Sequence, residues 1–564
     1  MPSFSPFLSL VRLLACSPAL VWPAALLAAP AVSVADFGAR PDDGQCDTEA
    51  IQAAIAAAQR SGATELRFGA GTYTLIKPAA KEYYLGVIDV KNLALVGAVD
   101  TNGNPATRLE RSFVLNNETT LPTQLSVLRS HHVTFRNFIL ANNPPLGSTA
   151  RVTAVDLGAD EVVVEVLPGL PAYDGMRCAS AHVWAQDTGT LKRFGSTPGD
   201  ATLTIGLGIK AFWKAVPGTL DRRLSMTGAG FAAKVTVGDH ISWHHKSTDM
   251  PNQTLVRNSS EVVFENILIP NVSNMGMGAS FNRNLTFRRV RFEPENGNLA
   301  IGGRDGMHLS MNSGDLLVED CVFMGLRMDP LVIKRNFGIV KQVNADGSLG
   351  ISPGYDVPAG DSLRFWVGAE PVDRVVTTFR REKDLVVYAF AGGAPPTATP
   401  GTAVSFLTYS LARGVIRNTR FAQNFGSAIV NFEENITVEG CTFDNNAYQV
   451  KYGPNPTSGG FVRNNIVRNN LFLNTSWIDI ARRGQPATLV IHSLSQFFSA
   501  PRFNRNILIT GNVFKNPHGR AGTVAVDVRN AEDVVLRNNV FEGFAQDVLI
   551  DGKPGAAKKV SVAP

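Results

Sequence analysis

At 564 residues the chain exceeds what one compact hydrophobic core accommodates, so it is made of several domains or of repeats. Hydrophobic residues at 44% and charged residues at 18% exclude a disordered chain. The net charge of +5 is small, with both signs mixed and no clustered lysine/arginine stripe, which argues against a nucleic-acid partner.

Arg12 is the only charge before Asp36, and an apolar stretch, Leu13 to Ala29, follows it. Pro18 and Pro23 interrupt this stretch, and Ala29-Pro30-Ala31 offers small residues for cleavage. The pattern predicts an export leader over residues 1–31 and a secreted or periplasmic protein with no membrane span. Leu13-Leu14-Ala15-Cys16 is an alternative lipidation box. The remaining cysteines, Cys46, Cys178, Cys321 and Cys441, are scattered without metal-ligand spacing, so no metal or cofactor is expected. Cys321 and Cys441, each two residues before a phenylalanine, read as small buried hydrophobes.

Thr48 to Ser61 alternates as an amphipathic helix, with Asp47 or Thr48 to cap it and Gly62 to stop it. Downstream a short pattern recurs: Val133–Leu140, Val262–Ile269, Leu285–Phe292, Leu316–Phe323, Gly414–Phe421, Ile436–Phe443, Ile466–Phe472, Ile507–Phe514 and Val534–Phe541. Each alternates apolar residues, then has Asn, Asp or Gly (Arg289 in one case), and ends on an apolar residue, usually Phe. Period-two alternation buries one face of a strand, and Asn or Gly tolerates the left-handed backbone of a sharp bend. Recurrence about every 22–31 residues is the spacing of a solenoid. The sequence therefore predicts an all-β fold, a right-handed parallel β-helix whose first coil is capped by the helix. Asn137, Asn266, Asn418, Asn469 and Asn538 should occupy one corner, free to form an asparagine ladder.

Two stretches break the period, 148–246 and 337–411, and both read as small inserted β-barrels. The expected organisation is a leader (1–31), capped N-terminal coils (32–147), an insertion (148–246), central coils (247–336), a second insertion (337–411) and C-terminal coils (412–564). The entry residues Val34 to Gly44 and Leu66 to Leu75, flanking the helix, resemble the first turns of the pectin-lyase-like superfamily. This resemblance implies the fold and, loosely, saccharide chemistry.

The central coils carry the chemistry. Asp305 and Asp329 stand 24 residues apart, about one coil, which places them on neighbouring rungs of one face. Two carboxylates at that range suit glycoside hydrolysis, one as acid and the other as base or nucleophile. Asp-Gly is also an ordinary turn signal, so spacing alone leaves a structural role open. Arg304, His308, Arg327 and Lys334 lie close in sequence and are candidates to orient hydroxyls. Trp243 is a candidate sugar-stacking ring, and Asn274 a candidate for the groove floor. Glu433 and Glu434 read as an exposed turn.

Arg304 to Arg335 resembles glycoside hydrolase family 110, the β-helical α-1,3-galactosidases that release terminal galactose with inversion. Asp305, Gly306 and His308 match its Ala-Asp-Gly-x-His segment; Gly325, Leu326 and Asp329 match its Gly-Leu-x-Asp-Asp segment. The resemblance implies an acid/base pair at Asp305 and Asp329 and a glycan as partner. Met328 replaces the first aspartate of the Asp-Asp pair. Lys334 stands near the expected Asn-x-His, and Tyr448 to Pro454 lacks the glutamate of a Trp-Tyr-Glu-Ser-Gly segment. Three readings stay open: a glycosidase, a polysaccharide lyase or other polysaccharide-processing enzyme, and a non-catalytic carbohydrate-binding β-helix.

Overall fold

The repeated segments stack on one another in register. The computed structural model describes residues 31–564 apart from 179, 187–189, 193–210, 219–221, 229, 246–249, 369, 455–459, 479–485, 493–501, 518–521, 552, 555–560 and 563–564. The leader and Cys16 lie outside the described residues. Among the described residues, two long sheets of parallel strands, one of 21 strands and one of 12 (its last strand antiparallel), wrap one core as a right-handed parallel β-helix. Phe135 pairs with Phe264, and Phe264 with Phe287, on successive rungs.

Each recurring segment bends at one left-handed residue. Asn137, Asn266, Arg289, Asp320, Asn418, Gly440, Asn469, Gly511 and Asn538 have φ between 50° and 67° and fall at one register position. The five asparagines thus share a corner as the spacing predicts, and Arg289 adopts the same strained backbone. Only Asn137 and Asn266 are joined side chain to side chain, at 2.9 Å. The longer asparagine ladder runs one residue later, inside the bend. The Cys441 amide donates to Asn470 Oδ1 (2.9 Å), the Asn470 amide to Asn512 Oδ1 (3.0 Å) and the Asn512 amide to Asn539 Oδ1 (3.0 Å). An inward-facing side chain there satisfies backbone amides that the bend leaves without a strand partner. Beyond the bend, Phe292, Phe323, Phe421, Phe443, Phe472, Phe514 and Phe541 form a continuous column with ring centroids 4.5–5.2 Å apart. Cys321 and Cys441 are buried free thiols, as their sequence setting suggests.

The helix Thr48–Ser61 buries Ile51, Ala54, Ile55 and Ala58 against the first coil and ends at Gly62 in the left-handed region. Asp47 stands at the N-cap but does not cap the helix. Its carboxylate instead accepts from the Arg40 and Thr74 amides at 2.9 and 2.8 Å, tying the entry segment to the next strand.

The insertions differ in form. Gly338–Val343 opens a closed six-stranded antiparallel barrel that ends with Ala403–Phe406. Between Gly147 and His244 the described strands form a six-stranded antiparallel sheet with its own core and a two-stranded annex. Among the described residues no helix is long and apolar enough to cross a membrane.

Candidate active site

The strand Met307–Ser310 buries Met307 and Leu309 and turns His308 and Ser310 outward; Leu331–Lys334 repeats the pattern one rung on, with Lys334 outward. Asp305 and Asp329 each precede their strand by two residues. Between them Gly306 donates its amide to the Asp329 carbonyl at 3.1 Å, and Met307 donates to Pro330 at 2.8 Å. The two aspartates are therefore equivalent positions on adjacent coils, about 4.8 Å apart along the stack. Gly306 has no room for a Cβ, because the Pro330 carbonyl would lie 2.5 Å from it.

Their settings are unlike. Asp305 is buried; its Oδ2 accepts from His308 Nδ1 at 2.9 Å, and its Oδ1 has no hydrogen-bond partner. Asp329 Oδ1 accepts the Ser427 amide at 2.8 Å. Burial, and next the negative charge of Asp305, push the Asp329 carboxyl up to about 7, against the pull of the Ser427 amide, Lys451 and Arg304. A carboxyl that keeps its proton to about 7 beside a second aspartate suits the acid of an acid/base pair.

Of the other candidates, the structure brings Arg304, Arg327 and Lys334 to the pair. Arg304 and Lys334 both feel Asp305 or Asp329 electrostatically, and burial lowers the Lys334 ammonium from its ordinary value. Arg327 is buried and donates to the Gly303 carbonyl at 3.0 Å. Asn274 lies on the preceding coil, its carbonyl accepting the Arg304 amide at 2.9 Å. Its side chain is buried, with Nδ2 on the Met250 carbonyl at 2.6 Å and Oδ1 unpartnered. It thus lies one coil before Asp305, with its side chain turned into the interior.

Trp243 is not at the site. It is fully buried inside the first insertion, with its ring centroid 4.8 Å from that of Trp213 and its Nε1 donating to Met176 Sδ at 3.3 Å. No face remains for a sugar. Glu433 and Glu434 are not an exposed turn either. Both are buried around Arg335, at 3.1 and 2.9 Å, and Arg364 of the barrel reaches Glu434 at 3.1 Å. Burial raises the Glu433 carboxyl while Arg335 opposes it. The cluster ties the barrel to the coils through Arg364 and Glu434.

Two further neighbours come from the segment Tyr448 to Pro454, which the sequence singles out only for its missing glutamate. Tyr448 and Lys451, both buried, lie close enough to Asp329 to act on it electrostatically, and burial raises the Tyr448 phenol. Ser427 bridges to Tyr448, two coils' turns meeting beside Asp329. The first insertion closes this side: His182 packs at a tilt on Phe425, ring centroids 4.2 Å apart, and burial and then Arg327 hold His182 neutral, down to about 3.

A profile of the family described as rhamnogalacturonase A/epimerase, pectate lyase-like, matches residues 31–143. The chain is 24% identical over 528 residues to alpha-1,3-galactosidase A of Bacteroides fragilis strain YCH46, covering 86% of this chain and 83% of that protein. The protein of that name from strain ATCC 25285 is 24% identical over 567 residues, covering 93% and 89%. Among solved structures, the A-module of an Azotobacter vinelandii mannuronan C-5 epimerase aligns with 94% of this chain and 100% of its own, at 14% identity and a TM-score of 0.41. The resemblance carried by Arg304 to Arg335 is thus part of a distant similarity running along most of the chain.

Proposed function

We propose that this chain is a glycosidase acting outside the cytoplasm, removing terminal, α-galactoside-like sugars from glycans with inversion. Asp329 is the proton donor to the leaving oxygen. Asp305, oriented by His308, draws the proton from the attacking water. The observation that carries this reading is the pair itself: two aspartates in register on adjacent coils, one bound to an imidazole and the other to an amide. The similarity to the α-1,3-galactosidases along most of the chain supports a carbohydrate-active enzyme of the glycosidase kind. The outward face of the sheet continues from His308 past Gly278 to Leu255 and a groove beside Ser126 and Arg257, which gives space for the rest of a glycan.

The test is a panel of α-linked oligosaccharides assayed for reducing sugar and for unsaturated product, with the first anomer released followed by proton NMR. Saturated sugar released as the inverted anomer is the expected result. Binding without any product would replace the enzyme by a carbohydrate-binding protein. Unsaturated product would mean β-elimination, the reading favoured by the partly buried Lys334 beside Asp305, which then acts as the base.

A further inference from the structure

Besides Lys451, three cations meet at the candidate site, and among the described residues none of the three has a carboxylate partner at ion-pair distance. Arg304 makes no side-chain hydrogen bond or ion pair among the described residues, and its Nε is buried without an acceptor. Arg327 is buried, spends one nitrogen on the Gly303 carbonyl and leaves Nε unpartnered. Lys334 is partly buried, with neither hydrogen bond nor ion pair among the described residues. The nearby carboxylates are engaged otherwise, Asp305 by His308 and Asp329 by the Ser427 amide. Of the fully buried arginines elsewhere, Arg335 sits between Glu433 and Glu434, and Arg111, without a carboxylate, spends Nε on Asn142 Oδ1 and a second nitrogen on the Pro122 carbonyl. A buried cation without an anion is costly, and buried donors without acceptors are rare in folded proteins.

We propose that this pocket takes a sugar bearing an oxyanion, a uronate carboxylate or a sulfate ester, gripped by Arg304 and Arg327 with Lys334 as a further charge. The proposal rests on the carbohydrate reading above and narrows its substrate class. Three cations exceed two aspartates, so positive charge remains in surplus even with both carboxylates ionised. The burial that keeps Asp329 protonated to about 7 enlarges that surplus. The hydroxyls of a neutral hexose accept hydrogen bonds but leave the charge uncompensated. A planar carboxylate or a sulfate does both, and matches the guanidinium fork.

Calorimetric titration of the whole protein with galactose, galacturonate, galactose 6-sulfate and inorganic sulfate tests this. One of the two charged sugars should bind at least about tenfold tighter than galactose, with affinity falling as salt rises. It should also bind tighter than inorganic sulfate. Which of the two leads distinguishes uronate from sulfate ester. Arg304→Gln and Lys334→Gln should shrink the preference while the thermal midpoint stays near that of the wild type. Equal or tighter binding of galactose overturns the proposal, as does inorganic sulfate binding as well as the sulfated sugar. The wild-type comparison stands even if a variant fails to fold. Hydrolysis of neutral α-galactosides without charge preference would sink this inference and leave the glycosidase reading intact. Charge-selective sugar binding without turnover would do the reverse.

Discussion

Gly426 lies so close against Met328 that a β-carbon at 426 would overlap the Met328 carbonyl and the Asp329 amide. The turn carrying Ser427 is thereby pressed onto the turn carrying Asp329, and the Ser427 amide reaches the carboxylate. Gly426→Ala must push the two turns apart. Overpacking of this kind costs about 1–3 kcal/mol. The loss should appear in denaturant unfolding together with a fall in turnover larger than the change in thermal midpoint explains; an unaltered variant would deny the contact any role.

Asp305→Asn and Asp329→Asn should each lower turnover about 10²–10⁴-fold, the contribution of one general acid or base. The folding of both variants should survive, since an amide keeps the shape and can still meet the Ser427 amide through its oxygen. His308→Gln should cost less than either, because it positions Asp305 without touching the reacting bond. Wild-type rates in both aspartate variants on a confirmed substrate would remove the pair from the chemistry.

The raised Asp329 carboxyl has a direction in pH. Folded, the group holds its proton up to about 7, well above the ordinary aspartate value near 4, so the folded chain binds this proton more tightly than the unfolded one. Its contribution to stability is full below about 4 and is lost as pH rises through about 7. The thermal midpoint should decline between about pH 4 and 7, the span between the two states' pKa values, and Asp329→Asn should flatten that decline. If the same group donates the proton to the leaving oxygen, turnover falls on the alkaline side of about 7. A wild-type midpoint rising over this interval, with no effect of the variant, would contradict the assignment.

Phe472 sits inside the column, 4.6 Å from Phe443 and 4.5 Å from Phe514, and is buried. Phe472→Ala removes two stacked contacts and opens a cavity that the neighbouring rungs cannot fill, at about 3–5 kcal/mol. Equilibrium unfolding in urea should register it. Val540→Ala, at a half-exposed position on the last coil, is the control and should change little.

Much of this architecture was legible because a solenoid repeats locally: alternation, a left-handed corner and a terminal Phe all lie within eight residues. Even the misfit Arg289 was placed by register, since its neighbours Arg288 and Val290 pair with Glu265 and Ile267. The aspartates were legible for the same reason, one coil being one rung. What the sequence hid are meetings across the insertions. Tyr448 and Lys451 reach Asp329 from over 100 residues away, and Arg335 finds Glu433 across the barrel, so no spacing rule connects them. Trp243 misled because an aromatic residue before a groove and one inside a small core look alike until the sheet behind it, with Trp213, is built.

The barrel leaves the solenoid after Leu331–Lys334 and the chain returns at Leu411–Arg417, which completes that same coil against Ser313–Glu319. The strand Leu331–Lys334 then pairs with Ile429–Phe432 as though nothing intervened, Leu331 opposite Ile429. Departure and return fall within a single turn of the coil, so the excursion is to the solenoid a long side loop. Chain-closure entropy grows only logarithmically, each doubling of such a loop costing about 0.6 kcal/mol. A module hung this way can therefore change in length at little entropic cost, provided that Arg364 and Trp366 keep their contacts with Glu434 and with Phe461 and Phe503 of the coils. Its kinetic burden is heavier. The C-terminal coils can pair with the central ones only once the chain on either side of the barrel has been brought together, Leu411–Arg417 against Ser313–Glu319 and Ile429–Phe432 against Leu331–Lys334.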